Sequence, residues 1–327
     1  MFDIVTFGSA TRDILITPKK LTSLKYKKTD LDKNQICFPL GSKIDVEDIK
    51  FLSGGGATNT AATFSLQGFK TAFCGSVGND LSGKEIVEEL KKFKINTNFV
   101  SKTSQKLTSH AIIILNDQKE RTILVYRGAS ELLNKKQIPW RKLKTKWIYL
   151  APLSGFLCNS FEDIVDFAKK NKIKVAVNPG ITQLSLQKFS EIAKKIDILI
   201  LNQEEASFLT KIPYDKEKEI FEELDKMCPG VTMMTKGAEG VLVSDGKHIY
   251  SAKPHFDRIV VDTTGAGDSF ASGFLTDFIK SKGDIEKAIQ MGMANSEACL
   301  SKIGAKNGLL KKGQKFRRVE VLKRKIL

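Results

Sequence analysis

The sequence predicts an α/β fold with a mostly parallel central sheet and a second, small β-sheet that serves as a lid. Through residues 146–240, short apolar strands alternate with helical segments of about 10–15 residues, the pattern of a parallel sheet covered on both faces. Glycine-rich turns at 54–56 and 265–267 each precede a helical stretch. Residues 96–127 alternate apolar and polar side chains instead, which is typical of a β-ribbon.

Composition indicates an ordinary globular protein. Of the 327 residues, 28% are charged and 41% are apolar. Apolar runs stay far below the roughly 20 residues that a membrane helix needs, and the N-terminus lacks a signal-peptide pattern. Five scattered cysteines without a CxxC pair indicate free thiols. We therefore expect a cytoplasmic protein that has no membrane partner.

The net charge of +16 is partly concentrated in one segment. Residues 311–327 hold eight Lys or Arg and one Glu, and we set them apart as a basic C-terminal tail. Such a tail can bind nucleic acid non-specifically, but the interleaved aromatics of a single-strand binding platform are missing. Lysines are also frequent along the whole chain. A solvated surface that attracts anionic cofactors is therefore favoured over nucleic-acid binding.

The first strand is predicted at Ile4–Phe7, and Asp13 follows its carboxyl end by a few residues. Open α/β sheets bind ligands at this position, so Asp13 is a candidate ligand contact. The alternative is a turn residue or an ion-pair partner of Arg12. The lid is predicted from about 12–52 and 96–128, with the ribbon turning at Asn116-Asp117.

Between the two lid segments lies the first glycine-rich entry to a helix. Gly54 and Gly55 precede it, and Asn59 sits in its first turns with a side chain that can both donate and accept hydrogen bonds. Because Asn is also a common helix cap, this motif is a weak signal by itself.

Polar residues recur where the central strands end. Asn202 and Glu205 follow one strand, and Thr235, Gly237 and Gly240 follow the next. Since the carboxyl ends of parallel strands lie at one edge of a sheet, we expect these residues to converge. Asn202 and Glu205 are about one helical turn apart, which suits Mg²⁺ held through its waters. The alternative is a helix cap with surface acids.

Residues 259–278 carry the strongest chemical signal. Ile259–Val261 is predicted to end a buried strand, and the helix that follows the glycine turn begins with free N–H groups that attract phosphate oxygens. An acid at this point would repel a phosphate if it served only for binding. We therefore interpret Asp268 as a base that takes the proton of an attacking hydroxyl. The alternative is an N-terminal helix cap. A helix rich in small residues, 284–302, is predicted to pack closely on this one.

These stretches resemble the ribokinase-like sugar kinases, the PfkB carbohydrate kinase family. GGGATN at 54–59 resembles the family's first signature and DTTGAGDSF at 262–270 its second. NQEE at 202–205 is similar to its Asn-x-x-Glu magnesium motif, TKGAEG at 235–240 to its nucleotide-binding turn, and MANSEACLSKIGA to its adenine-side helix. The resemblance covers about residues 3–308. It implies a ribokinase-like three-layer domain over residues 1–310 that includes the lid.

The resemblance also implies an ATP-dependent kinase for a hydroxymethyl group, and a homodimer formed through the lid. The implied reaction centre is Asp268 as base with an anion hole made by the amides of Gly265, Ala266 and Gly267. The implied substrate contacts are Asp13, Gly54, Gly55 and Asn59. The implied nucleotide contacts are Asn202, Thr235, Gly237, Gly240 and Asn295. Implied metal contacts are Asn202 and Glu205 for Mg²⁺, with Asp262 and Thr264 for a monovalent cation such as K⁺.

One departure from the family pattern concerns phosphate binding. Several family members carry an arginine two residues after an Asn or Asp, whereas this chain reads Asn178-Pro179-Gly180. The phosphate contact of that arginine is then either missing or made from elsewhere, such as by Arg121 or Arg127 of the lid.

The preferred interpretation is a sugar kinase, and two other functions stay open. A nucleoside kinase would need an apolar or aromatic slot in the lid, for which Phe38, Phe99 and Tyr126 are candidates. A non-catalytic nucleotide-binding regulator would use the basic tail for nucleic acid. A Rossmann dehydrogenase is disfavoured because GSATRD, and no GxGxxG, follows the first strand.

Overall fold

A ten-stranded sheet forms the centre of the molecule in a computed structural model that describes residues 1–19, 22–25, 34–115 and 121–326. The strands are β1 (Phe2–Phe7), β2 (Thr11–Pro18), β3 (Thr22–Lys25), β4 (Asn34–Cys37), β5 (Val46–Gly54), β6 (Thr71–Gly78), β7 (Asn96–Thr103), β8 (Ser109–Leu115), β9 (Arg121–Tyr126), β10 (Thr145–Leu150), β11 (Lys174–Val177), β12 (Ile198–Asn202), β13 (Val231–Thr235), β14 (Val241–Ser244), β15 (His248–Ala252) and β16 (Val321–Lys325). The helices are α1 (Gly56–Leu66), α2 (Leu81–Lys92), α3 (Gly155–Asn159), α4 (Phe161–Lys170), α5 (Ile181–Leu184), α6 (Phe189–Ala193), α7 (Gln203–Thr210), α8 (Glu217–Met227), α9 (Ala266–Lys280) and α10 (Ile285–Leu300).

The sheet order is β16-β15-β14-β13-β12-β11-β10-β1-β6-β7. Pairing is parallel from β13 to β7 and antiparallel from β13 to β16. The predicted fold class, a mostly parallel sheet covered by helices, is confirmed. Because the parallel strands end at one edge, the turns after β1, β11, β12 and β13 all open on the same side of the molecule.

Each face of the sheet carries its own hydrophobic core. On one face, Phe161 of α4 and Phe221 of α8 are buried among strand residues. On the other, Phe64 of α1 and Phe274 of α9 are fully buried. Burying an aromatic side chain of this size stabilises the folded protein by about 1.5–3 kcal/mol. These packed layers therefore hold in place the helices that begin at the sheet edge. None of the helices in the described ranges is long and apolar enough to cross a membrane.

The lid is a four-stranded sheet in the order β5-β2-β8-β9. Its underside is apolar: Leu15, Ala111 and Ile113 are buried there, and Ile303 packs against them. The predicted lid began too early in its second segment, because residues 96–103 form β7 and pair with β6 in the central sheet. The predicted turn at Asn116-Asp117 and parts of the first lid segment lie outside the described residues.

Two other predictions about segments are wrong. Ile259–Val261 is not a strand but an exposed stretch, because the sheet already ends at β15 and β16 and offers it no partner. The segment 311–327, predicted as a separate tail, contributes β16, which pairs antiparallel with β15. Exposed Lys323, Arg324 and Lys325 make β16 a charged edge, the usual way to prevent further strand addition.

Candidate active site

Helix α9 begins at a glycine turn whose geometry only glycine accepts. Gly265 has φ +76°, and a Cβ on it would overlap Ala305. No side chain caps this helix start. Among the described residues, the amides of Gly265 and Gly267 donate to no protein acceptor, whereas that of Ala266 donates to the Thr263 carbonyl at 3.4 Å. Two of the three amides of the predicted anion hole of Gly265, Ala266 and Gly267 are therefore available to a ligand.

Asp268 projects from this first turn towards the start of α1. Its Oδ2 accepts a hydrogen bond from Nδ2 of Asn59 at 2.8 Å, and a Cβ on Gly56 would lie 3.3 Å from its Oδ1. Burial raises the pKa of Asp268, and the Asn59 hydrogen bond and the positive charge of Lys306 offset only part of that effect. The two glycine-rich helix starts thus meet at one carboxylate.

The predicted substrate residues lie together beside this carboxylate. Gly54 leaves room for the side chain of Asp13, since a Cβ there would overlap the Asp13 carboxylate. Asp13 is 7% exposed, and burial raises its pKa to about 6; Lys306 offsets part of this, whereas Asp262 and Asp268 add to it. Among the described residues, Oδ1 of buried Asn59 has no hydrogen-bond partner. The cluster offers acceptors that suit alcohol O–H groups.

A cavity of about 400 Å³ adjoins the start of α9 at Ala266 and Gly267. Its size falls within the range of small-molecule sites. The predicted residues in its wall are Asn202, Thr235, Gly237, Gly240, Ala266 and Gly267. The wall also contains residues that sequence reasoning did not assign, among them Arg258, Met293, Ser296 and Glu297. The last three lie within the stretch MANSEACLSKIGA, and its resemblance to the adenine-side helix was the signal that could have found them.

The prediction for Asn295 is not supported by its position. The side chain is fully buried and points away from the cavity: Nδ2 donates to the Ser269 carbonyl (2.8 Å) and to Thr63 Oγ1 (3.2 Å), and Oδ1 accepts from the Leu310 amide (2.9 Å). On a helix each residue turns by about 100°, so Ser296 faces the cavity where Asn295 cannot. Asn295 ties α10 to α9 and α1.

The two pairs of predicted metal residues are engaged with the backbone. Asn202 and Glu205 form a reciprocal capping box, in which Glu205 Oε2 accepts from the Asn202 amide (2.9 Å) and Asn202 Oδ1 from the Glu205 amide (2.7 Å). Asp262 accepts from the amides of Thr264 (2.9 Å) and Gly304 (2.8 Å). Within the described ranges, no group of three or more His, Cys, Asp or Glu side chains could hold a metal ion.

The residues at the departure from the family pattern have definite contacts. Asn178 donates through Nδ2 to the Ile200 carbonyl at 3.1 Å, which links neighbouring strand ends. Arg121 reaches down from the lid, and its Nη1 donates to Thr264 Oγ1 at 3.0 Å. A guanidinium therefore lies at the loop that precedes α9.

The fold is shared with solved kinases. Ribokinase from Arabidopsis thaliana, complexed with ribose and ATP, matches with a TM-score of 0.77 at 22% identity, over 95% of this chain and 96% of that one. A nucleoside kinase from Methanocaldococcus jannaschii, an archaeal member of the ribokinase family, matches with a TM-score of 0.75 at 21% identity, over 94% and 95% of the two chains. The class of fold is therefore that of the ribokinase-like kinases.

Sequence similarity then gives the family. Ribokinase from Haemophilus influenzae is 27% identical over 283 residues, which covers 82% of this chain and 88% of that protein. The sequence profile of the pfkB family of carbohydrate kinases matches residues 4–312. The chain belongs to the pfkB family of carbohydrate kinases, and is thus a phosphotransferase with an alcohol group as acceptor. The resemblance predicted from GGGATN and DTTGAGDSF is confirmed.

Proposed function

We propose that this chain transfers the γ-phosphoryl group of ATP to a primary hydroxyl of a small sugar. One observation carries the proposal: Asp268 is hydrogen-bonded to Asn59 of the acceptor cluster, and Ala266 and Gly267 of the same helical turn lie in the wall of a cavity of about 400 Å³. An acceptor on one side and a donor on the other would meet at that turn, as in-line transfer requires.

On the acceptor side, Asp13 and Asn59 would receive hydrogen bonds from sugar hydroxyls. Gly54 leaves room for the Asp13 carboxylate, and Gly55 has φ +98°, so the two glycines shape the loop that would hold the sugar. The unpaired Oδ1 of Asn59 supports this assignment, since a buried acceptor without a partner is costly and a substrate hydroxyl would satisfy it. The relatives that bind ribose support a sugar as the acceptor.

At the reaction centre, Asp268 would take the proton of the attacking hydroxyl as its oxygen forms a bond to the γ-phosphorus. The bond from that phosphorus to the bridging oxygen breaks, and ADP leaves. Burial keeps the pKa of Asp268 above its ordinary value, which makes the carboxylate a stronger base than one in water. The amides of Gly265, Ala266 and Gly267 would bind the charge that develops on the phosphoryl oxygens.

On the donor side, Asn202, Thr235, Gly237 and Gly240 would line the nucleotide. The chemistry of the donor set fits Mg²⁺ held through water: Asn202 lies in the cavity wall, and the capping box uses one Glu205 oxygen, leaving the other for a water ligand. When bound, Mg²⁺ would neutralise charge on the phosphate oxygens. A K⁺ site at Asp262 and Thr264 remains a proposal from the resemblance, as the Asp262 carboxylate already holds two amides.

A nucleoside kinase is the second candidate. Two of the three residues predicted for its aromatic slot lie elsewhere: Phe99 is buried in the core against Phe2, and Tyr126 is on the lid face opposite to that of Asp13. The third, Phe38, is exposed. However, Ile123 and Val125 lie on the Asp13 side of the lid and are 41% and 55% exposed. These aliphatic side chains could cover a nucleobase.

An acceptor panel separates the two candidates. Free pentoses and hexoses, sugar phosphates and nucleosides would each be incubated with the protein, ATP and Mg²⁺, and ADP release would be measured. Turnover of free sugars supports the first proposal, and turnover restricted to nucleosides supports the second. Absence of ADP release with every acceptor contradicts both.

A homodimer through the lid is part of the proposal. The outer face of the lid exposes Ile49, Phe51, Leu124 and Tyr126. Apolar side chains in such number on one face are typical of a protein interface. Light scattering of the purified protein would show twice the chain mass; a monomer over the whole concentration range contradicts the dimer.

A further inference from the structure

A lysine is buried beside the acceptor cluster, and the reaction described above gives it no role. Lys306 is 5% exposed, and its Nζ donates to the Ser53 carbonyl oxygen at 2.9 Å and to Ser53 Oγ at 2.6 Å. Lysine is almost never this buried without compensating charges, because its ammonium loses hydration. Burial lowers the pKa of Lys306, and Glu89, Asp13 and Asp268 oppose that effect.

The charges that face Lys306 come from three elements. Glu89 on α2 lies nearest, with Oε1 3.8 Å from Nζ, which is too long for a hydrogen bond. Asp13 on β2 and Asp268 on α9 are the other two negative groups that act on it. An ion pair with Glu89 alone therefore does not explain the burial. The positive charge of Lys306 also lowers the pKa of Asp13 and of Asp268, so it acts on both carboxylates of the acceptor cluster.

The segment that carries Lys306 touches several parts of the site. Ile303 packs under the lid, the Gly304 amide donates to Asp262 at 2.8 Å, and Ala305 fills the space beside Gly265. Lys306 then holds Ser53, the residue before the glycine turn of α1. These four residues connect the lid, the start of α9 and the acceptor loop.

We propose that Lys306 is a positioning residue for phosphoryl transfer. Its ammonium holds the acceptor loop at Ser53 against the start of α9 and compensates the two neighbouring carboxylates, Asp13 and Asp268. The inference rests on the proposed function, in which Asp13 holds the acceptor and Asp268 is the base. The negative charge of Asp268 raises the pKa of Asp13, whereas the positive charge of Lys306 lowers the pKa of both carboxylates.

The kinetic test compares Lys306→Met with Lys302→Met, which changes an exposed lysine of the same segment. Lys306→Met keeps the length of the side chain and removes its charge. With the best alcohol of the acceptor panel, kcat/KM falls by about tenfold or more, and its acid limb moves to higher pH by about one unit, because both carboxylates become harder to ionise. The KM for ATP stays unchanged. Unchanged kcat/KM and an unchanged acid limb overturn the proposal.

A second variant separates charge from packing. Lys306→Ala leaves a space that n-propylammonium can enter, and we expect this cation to restore part of the lost rate while n-propanol does not. Rescue by n-propanol to the same extent would mean that the side chain only fills space, which overturns the proposal.

A third measurement does not depend on activity. In a double-mutant cycle, Lys306→Met is introduced into the wild-type protein and into Asp13→Asn. The unfolding midpoint should fall more in the wild-type background, because Asp13→Asn lacks the carboxylate that Lys306 compensates. Equal shifts in both backgrounds overturn the proposal. If the wild type phosphorylates no alcohol, the proposed function fails, and this cycle still decides whether Lys306 compensates Asp13.

Discussion

The helices α1 and α9 both start at glycine-rich turns, yet the two starts are used in opposite ways. In α1 the first-turn residues Ala57, Thr58 and Asn59 are buried. In α9 the first turn carries an acid, Asp268, and an exposed glycine, Gly267. The same local sequence pattern therefore produces one closed and one open helix end.

The difference assigns a separate electrostatic task to each helix. The positive end of α1 points at the Asp268 carboxylate and, with the Asn59 amide, favours its ionised form. The positive end of α9 faces the cavity and stays available for phosphate. In the proposed function, one helix end would serve the base and the other would serve the phosphoryl donor. The following variants test this division of tasks.

Removing the charge of the base should have the largest effect. Asp268→Asn keeps the size of the side chain but cannot accept the proton, so we expect kcat to fall by about 10²–10⁴ while ATP binding persists. Steady-state kinetics and ATP titration measure the two quantities. Asp277→Asn on the same helix is the control and should keep full activity. Near-normal turnover of Asp268→Asn would remove this residue from its role.

Asp13 should show a conflict between stability and function. Its pKa in the folded protein, about 6, exceeds the ordinary 3.8, so folding disfavours the ionised form. The loss of folding stability caused by ionising buried Asp13 is absent below about pH 4 and grows as the pH rises. It is complete above about pH 6. Asp13→Asn should therefore stabilise the protein by up to about 3 kcal/mol at pH 7 and by nearly nothing at pH 4.

Urea unfolding at both pH values, together with kcat/KM for the acceptor, checks the Asp13 prediction. The activity should fall although the stability rises. Asp80→Asn is a control that should change stability in the opposite direction. Burial of Asp80 is outweighed by hydrogen bonds from Thr108 and Gly83, so its pKa is lowered. Removing this carboxylate should therefore destabilise the folded protein. A destabilised Asp13→Asn at pH 7 contradicts the prediction.

The glycines of the α9 turn provide a matched pair. Gly265→Ala should lower the free energy of unfolding by about 1–2 kcal/mol, because φ is positive and the added Cβ overlaps Ala305. Gly267→Ala adds a Cβ that meets nothing within 4 Å, so its stability should stay near that of the wild type. Thermal unfolding compares the two. Equal effects would mean that the turn is less constrained than described.

The smallest effect is expected at the closed helix start. Asn59→Ala removes the amide that donates to Asp268, so the pKa of Asp268 rises further. The base then ionises less readily, so kcat should fall most at acid pH and recover as the pH is raised. A pH–rate profile measures this. A loss that is equal at all pH values would point to a binding role only.

The sequence predicted those features that depend on local pattern. The alternation of strands and helices predicted the parallel sheet, and the polar residues at strand ends predicted the cavity wall around Asn202 and Thr235. Both follow from rules that act over a few residues. Which residues of α10 face the cavity depends on the rotation of this helix about its axis, and short motifs do not define that rotation. Met293 and Ser296 were therefore not assigned to the wall from the sequence.

The errors have physical reasons too. Ile259–Val261 has the composition of a buried strand, but strand formation needs a partner, and the sheet edge was already occupied by β16. The charge of 311–327 suggested a free tail, whereas backbone pairing with β15 decides its structure. The role of Lys306 could not be predicted, because a lysine near the end of a basic chain is usually solvated, and its burial depends on residues far away in the sequence.

The hydrogen bonds from Lys306 to Ser53 join residues that are 253 positions apart. Closing a loop of this length costs entropy, and contacts between distant residues slow folding. A chain that has completed only its parallel strands would still lack this contact. We therefore expect recovery of secondary structure to precede recovery of enzymatic turnover during refolding.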